Sequence, residues 1–367
     1  MAQRSRRKPP DKLNIIGATM KDSSVDECVF RSLKIVVTAS EKTPTRAALI
    51  TGFVTIYVLW GSTYLGIRLA VETLPPFLMA SARFLLAGIL VAGWIACTGS
   101  FKATRRQWID NSLIGGLLLL GGNGMVSWSE QKIPSGVATL VVSLGPLFIV
   151  LLDWAVFKFS RDKSRGTRPT WATFVGVGLG IIGLMVLVAP NLGQGNAQLD
   201  PWRVGGLVFA CFAWSVGSIY TRYARTPAEP FTAAAIQMLT GSVWLLVVSM
   251  ATGEPGHFDL AAVSSRSVFA WSYLVVAGSL VGFTTFVWLI KHSTPARVST
   301  FAYVNPIVAV FLGWRVANET VGLRMLFAAA IIIAGVAIIT ASKSKKPGPP
   351  PVANSAPIAS NSATKTV

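Results

Sequence analysis

Charge is scarce in this sequence. Asp, Glu, Lys and Arg together make up 13% of 367 residues, against a usual share of about 25% in soluble globular proteins. Histidine is scarcer still, with only His257 and His292, and the three cysteines, Cys28, Cys97 and Cys211, lie far apart. Such spacing excludes a disulfide framework and the close ligand pairs of a zinc module. Without clustered acids or His there is little material for a metal site or a catalytic triad, so neither catalytic residue nor metal ligand nor cofactor is expected. No G-x-x-x-x-G-K-[ST] stretch occurs, which excludes direct ATP coupling through a phosphate-cradling loop in this chain.

What the chain has in abundance is apolar length. Hydrophobic residues reach 52%, and a hydrocarbon core is crossed by about 20 apolar residues rising about 1.5 Å each. Ten runs of that size occur, at 47–67, 77–97, 109–128, 136–157, 171–189, 203–221, 231–251, 268–290, 297–317 and 323–341. An all-α integral membrane protein of ten transmembrane helices is therefore expected. Residues 1–46, polar and basic, and 342–367, rich in Pro, Ser, Ala and Lys, read as disordered tails. The start carries no apolar stretch with a small-residue cleavage site, so the first span is read as the uncleaved signal.

The few charges that exist are strongly biased, with 33 Lys and Arg against 15 Asp and Glu and a formal charge of +18. With the amino terminus inside, the inner connections carry twelve basic residues, among them Lys102, Arg161, Arg168 and Arg222, and the outer ones six: Arg68, Lys132, Arg203, Arg266, Arg315 and Arg324. Cytoplasmic loops hold the excess of Lys and Arg, so both termini are expected in the cytoplasm of an inner (plasma) membrane protein. The net charge is then a topology signal and an attraction to anionic lipid rather than a nucleic-acid signature.

The sequence also repeats itself. Adding 154 to Trp60, Arg68, Pro76 and Phe77 gives Trp214, Arg222, Pro230 and Phe231. Adding 160 to Trp128, Pro146 and Trp154 gives Trp288, Pro306 and Trp314, and adding 152 to Gly183 gives Gly335. Five spans per half is an odd number, so the second half enters the bilayer upside down, which is the inverted-topology repeat common in transporters. The halves are expected at 47–189 and 203–341.

Stretches of the chain resemble a known family. VLWGSTYLGIRLAVETLPPFLMASARFLLAG at 58–88 and GNGMVSWSEQKIPSGVATLVVSLGPLFIVLLDW at 122–154 are similar to the first four helices of EamA-type members of the drug/metabolite transporter superfamily, especially the YedA-like permeases. AYVNPIVAVFLGW, then NETVGLRMLFAAAIIIAGVAIIT with Glu319 at the usual loop glutamate, resembles the family's closing pair. The long basic amino-terminal extension and Arg315 depart from that pattern. The resemblance implies a secondary transporter, exporting amino acids or related small metabolites by alternating access. A lipid-linked carrier or flippase and a non-transporting scaffold stay open beside it. Expected partners are a small-molecule substrate and membrane lipids, not nucleic acid, with a homodimer left open.

Candidate pathway residues follow from polarity inside the spans. Pro146 and Pro306, equivalent in the repeat, each remove a backbone donor and free a carbonyl, and a helix kink at each is expected beside Ser143 and Asn305. Trp60, Ser62, Thr63 and Tyr64, with Trp214, Ser215 and Ser218, offer aromatic faces and hydroxyls suited to a small, partly apolar solute with a cationic amine, or else mark the interfacial belt. Asn123, flanked by Gly121, Gly122 and Gly124, is a neutral polar group in mid-span, either a ligand contact facing Tyr303 and Asn305 or interhelical glue. Gly176 and Gly180 are spaced for helix packing. Arg83, Glu130 and Asp153 are charges in or at the edge of spans and candidates for gating or coupling. The structural alternatives are snorkelling of Arg83 and pairing of the acids with Arg83, Lys132 or Lys158.

Overall fold

Each apolar run becomes a helix, because in hydrocarbon every backbone N–H and C=O must be satisfied within its own segment. The computed structural model describes residues 45–99, 101–159, 170–188, 200–225, 227, 230–293 and 301–343, so the tails expected at 1–46 and 342–367 lie almost wholly outside the described residues. The chain divides into two units, 1–48 and 49–367. Of the first, only Thr45 and the opening turn of the first helix are described.

Among the described residues, beside two short 3-10 turns at Glu254–His257 and Leu260–Ala262, there are ten long helices. They are α1 (Arg46–Ala70), α2 (Pro76–Thr98), α3 (Arg105–Gly115, Gly116–Gly124 and Met125–Glu130), α4 (Ser135–Val142 and Gly145–Phe159), α5 (Trp171–Val188), α6 (Pro201–Tyr220), α7 (Pro230–Ala251), α8 (Ser265–Tyr273, Leu274–Val281 and Gly282–His292), α9 (Phe301–Ala317) and α10 (Leu323–Lys343). The fold is all-α, as expected. α1, α2, α4, α6 and α7 are long and apolar enough by themselves to cross a membrane. Large apolar side chains point outward along the helices, among them Ile89 at 53%, Phe269 at 76% and Phe327 at 71% exposure. In water this would be a liability, and against lipid it is the solvent-facing surface.

The most extensive helix pairs are α2 with α7 and α5 with α10, each a helix against its own repeat mate. Small residues let the backbones meet. A methyl group added to Gly335 on α10 would lie 2.7 Å from the carbonyl of Gly176 and 3.1 Å from the amide of Gly180 on α5. Gly176 and Gly180 therefore stand at a helix contact, the role their spacing suggests.

Departures from α geometry fall at equivalent places. The middles of α3, Gly116–Gly124, and of α8, Leu274–Val281, are both π-helical. These widened turns are uncommon in helices and concentrate at functional positions. The two prolines behave differently. α4 is interrupted at Ser143 and Leu144, just before Pro146, whereas α9 runs through Pro306 without a break.

Candidate functional site

The neighbouring helix bonds backbone carbonyls at the break in α4, among them that of Val142, which Pro146 leaves without its helical donor and which lies 3.7 Å from Cys211 Sγ. On α6, Cys211 Sγ donates to the carbonyl of Val141 at 3.4 Å and Ser215 Oγ to that of Gly145 at 3.1 Å. Ser143, buried at the break, turns its hydroxyl back to Leu140 O at 2.7 Å. Cys211 was not singled out in the sequence, since one apolar-looking cysteine carries no spacing signal.

The predicted residues gather in two places related by the repeat. Around α1, α8 and α9, the Trp60 ring lies 4.8 Å from Phe286 and 4.9 Å from Phe301. A Cβ on Gly282 would sit 2.7 Å from Trp60 Nε1, and one on Gly61 would sit 2.6 Å from Val308 and 3.3 Å from the Asn305 carbonyl oxygen. Asn305 is 5% exposed, and its side-chain oxygen has no hydrogen-bond partner. The side chain of Tyr303 lies outside the described residues. Around α6, α3 and α4, a Cβ on Gly122 would sit 2.9 Å from Trp214, beside half-buried Asn123.

The two clusters are mirrored contact by contact. Trp60 on Gly282 corresponds to Trp214 on Gly122, and Gly61 at the Asn305 carbonyl corresponds to Ser215 at the Gly145 carbonyl. Likewise Thr63 at Gly278 corresponds to Gly217 at Leu118. Each pair obeys the same offsets, 154 on one partner and 160 on the other. Tyr64 packs on the main apolar core, within electrostatic reach of Glu130 and Cys211. An apolar cleft of about 410 Å³ is lined by Pro306, Leu140 and Trp314 among others. None of the other predicted binding residues borders it.

The charged candidates separate by environment. Asp153 pairs with Arg222 at 2.9 Å, and the Lys158 ammonium lies 5.9 Å from the centre of the Trp154 ring. Arg83 is 5% exposed, too buried for the snorkelling alternative, and its Nε donates to Ser279 Oγ at 3.0 Å. Glu130 is wholly buried at the end of α3, and both of its carboxylate oxygens lack a partner, as do the hydroxyls of Ser129 and Ser135. Lys132 instead meets Asp200 at 3.9 Å. Arg68 reaches the Glu130 neighbourhood but donates to the backbone carbonyls of Glu130 and Gln131, at 2.9 and 3.0 Å. An ionised carboxylate left unpaired in such a place costs several kcal/mol, so Glu130 is at ease only when neutral or when a cation arrives.

Two further acids have structural roles. Glu319 accepts from the amides of Ser135 and Gly136 at 2.7 and 3.1 Å, capping α4. Glu254 accepts from Phe77 and Leu78 at 3.2 and 2.8 Å, capping α2, and from Ser249 Oγ at 2.8 Å. The signal for them was readable. Both helices start after a proline, Pro75 and Pro134, which offers no side-chain acceptor, so an acceptor from elsewhere is needed for the orphan amides.

The sequence profile of the EamA-like transporter family matches residues 47–189 and 202–341. This chain belongs to the EamA-like transporter family. It is 37% identical over 300 residues, 81% of this chain and 92% of the relative, to the uncharacterized inner membrane transporter YedA of Escherichia coli K12. Protein PecM of Dickeya dadantii is 25% identical over 307 residues, covering 79% of this chain and 93% of its own length. A crystal structure 21% identical in sequence covers 82% of this chain and 99% of its own with a TM-score of 0.55, a likeness of fold alone. This EamA protein is thus a membrane transporter and not an enzyme, similar to a multi-pass inner membrane protein.

Proposed function

We propose that this EamA transporter exports small organic metabolites, amino acids or related compounds, by alternating access around the two mirrored clusters. The observation that carries the reading is the buried, unpartnered side-chain oxygen of Asn305, set at the contact of α9 with α1 next to the Trp60 aromatic group. A buried polar atom without a partner is costly, and a passing solute or water would satisfy it. Its place in an inverted repeat supports the reading, since transporter sites form at the interface of such repeats.

In this reading Trp60, Asn305 and Tyr303 form one wall and Trp214, Asn123 and Ser143 the other, with Tyr64 supporting from the core. The interrupted α4 near Pro146 and the proline-containing α9 near Pro306 supply the bending elements. Glu130 serves as a gate or coupling group, with Asp153 and Arg222 bracing one end. Both termini lie in the cytoplasm, following the excess of Lys and Arg in the connections on that side.

The test compares metabolites inside and outside cells producing the wild type or Asn305→Ala at matched membrane levels. Accumulation of one metabolite outside, with the wild type only, is the expected result and identifies the cargo. Unchanged export by both Asn305→Ala and Trp60→Ala, at normal membrane levels, overturns the site.

A further inference from the structure

We propose that Arg83 is the anion-binding group of the pathway and holds the carboxylate of a small solute whose apolar part lies against Trp60. The proposal deepens the transport reading, since it takes the junction of α1, α8 and α9 as part of the pathway.

Arg83 stands seven residues, about 10 Å, from the start of α2, in a helix that crosses the membrane by length and composition. A guanidinium carries five N–H donors. One, at Nε, is spent on Ser279, and the Phe84 ring lies 4.7 Å from the guanidinium carbon. Among the described residues no carboxylate pairs with Arg83, and no hydrogen bond engages its two terminal nitrogens. A cation so placed in a membrane protein marks a route for a charged ligand or its counter-ion.

Glycines on α8 let these side chains lie close against its backbone. A Cβ on Gly278 would lie 2.9 Å from Arg83 Nη2 and 3.0 Å from Thr63, and one on Gly282, a helical turn further, 2.7 Å from Trp60 Nε1. Gly278 lies within the π-helical part of α8 and Gly282 directly follows it. One strip of α8 is thus met by the Arg83 guanidinium from α2 and by Thr63 and then the Trp60 ring from α1.

Packing alone does not account for the charge. The repeat mate of Arg83 is Gln237, which donates to Asn111 Oδ1 at 2.8 Å. A neutral amide, closed on a neutral partner, fills the mirrored position. The cation is present on one side only, where the planar fork of arginine matches a carboxylate in two-point contact. A single cation on this strip balances a monoanion.

Phenylglyoxal, which attacks guanidinium groups, tests this in the full-length wild type held in lipid nanodiscs. Modification of Arg83 and of half-exposed Arg266 is followed together by mass spectrometry of their peptides. Phenylacetate is expected to slow modification of Arg83 several-fold and phenylacetamide to leave it unchanged, with Arg266 indifferent to both. Equal protection by the two compounds, or an Arg83 that stays unmodified while Arg266 reacts fully, overturns the proposal. Stronger protection by phenyl phosphate than by phenylacetate overturns the carboxylate assignment. The readout needs no transport, so a failed export experiment with Asn305→Ala and a failed protection experiment stay distinguishable.

Discussion

Glu130 and Glu319 are both acids at one end of the helix bundle, yet the physics acting on them is opposite. Glu319 has both oxygens on the amides of α4, where a negative charge meets orphan donors and the positive end of the helix dipole. Glu130 has neither oxygen satisfied. Glu319→Ala should lower stability by about 2 kcal/mol, the usual worth of hydrogen bonds to a charged group, seen as a lower thermal unfolding midpoint in detergent. Glu254→Ala should behave similarly at α2. Glu130→Gln removes a charge that has no partner to lose, so it should leave the midpoint unchanged or raise it. If Glu130 couples a proton to transport, flux through the wild type varies with outer pH and flux through Glu130→Gln does not. The proline before α4 signals that an acceptor must come from elsewhere, but only the fold shows that Glu319 and not Glu130 supplies it. The difference arises because α4 begins at Ser135, after a proline that cannot cap it, and the 318–322 connection delivers Glu319 to that end.

At the scale of elements, glycine decides which helices touch. Gly335→Val should push α10 off α5, because its side chain would enter the space of the Gly176 carbonyl. Overpacking of this kind costs about 1–3 kcal/mol, and the check is the yield of monodisperse protein on size-exclusion chromatography in detergent. Gly282→Ala and Gly122→Ala test the mirrored ring contacts, with Trp60 and Trp214 respectively. Near-equal effects on stability from the two would reflect the symmetry of packing, while flux is expected to suffer more at Gly282, which packs on Trp60, the ring proposed to hold the solute. Both prolines carry the same expectation from sequence, a kink; α4 is interrupted just before Pro146, whereas α9 is continuous through Pro306. A proline removes one donor in either case. What differs is the neighbour: Cys211 stands at the Val142 carbonyl that Pro146 leaves without its helical donor, and Ser215 bonds the Gly145 carbonyl, whereas the repeat mate of Ser215 is Gly61, which has no side chain to offer.

For the whole molecule, orientation is the plainest prediction. A fluorescent protein that folds only in the cytoplasm, fused after Val367, should glow, and a cysteine placed at Thr320 should be labelled by a membrane-impermeant thiol reagent added outside. A dark fusion together with an unlabelled Thr320→Cys would reverse the topology drawn from the Lys and Arg distribution. Ten spans, the odd number in each half and the repeat offsets were all present in the chain, because apolar length and internal duplication are one-dimensional properties. Family membership followed from the same linear record. The all-α architecture did too, since lipid leaves helices as the way to satisfy the backbone of such runs.

Which polar groups share a junction, and which find partners, is a three-dimensional matter. The sequence named Arg83, Glu130 and Asp153 as equals among intramembrane charges. Folding gave Asp153 an arginine 69 residues away in the chain, gave Arg83 a serine hydroxyl, and left the Glu130 carboxylate with no hydrogen-bond partner. Hydrophobic length sets where a helix runs, but the energy of a buried polar atom depends on the few ångströms to its nearest donor or acceptor, and those distances are fixed only when the helices pack.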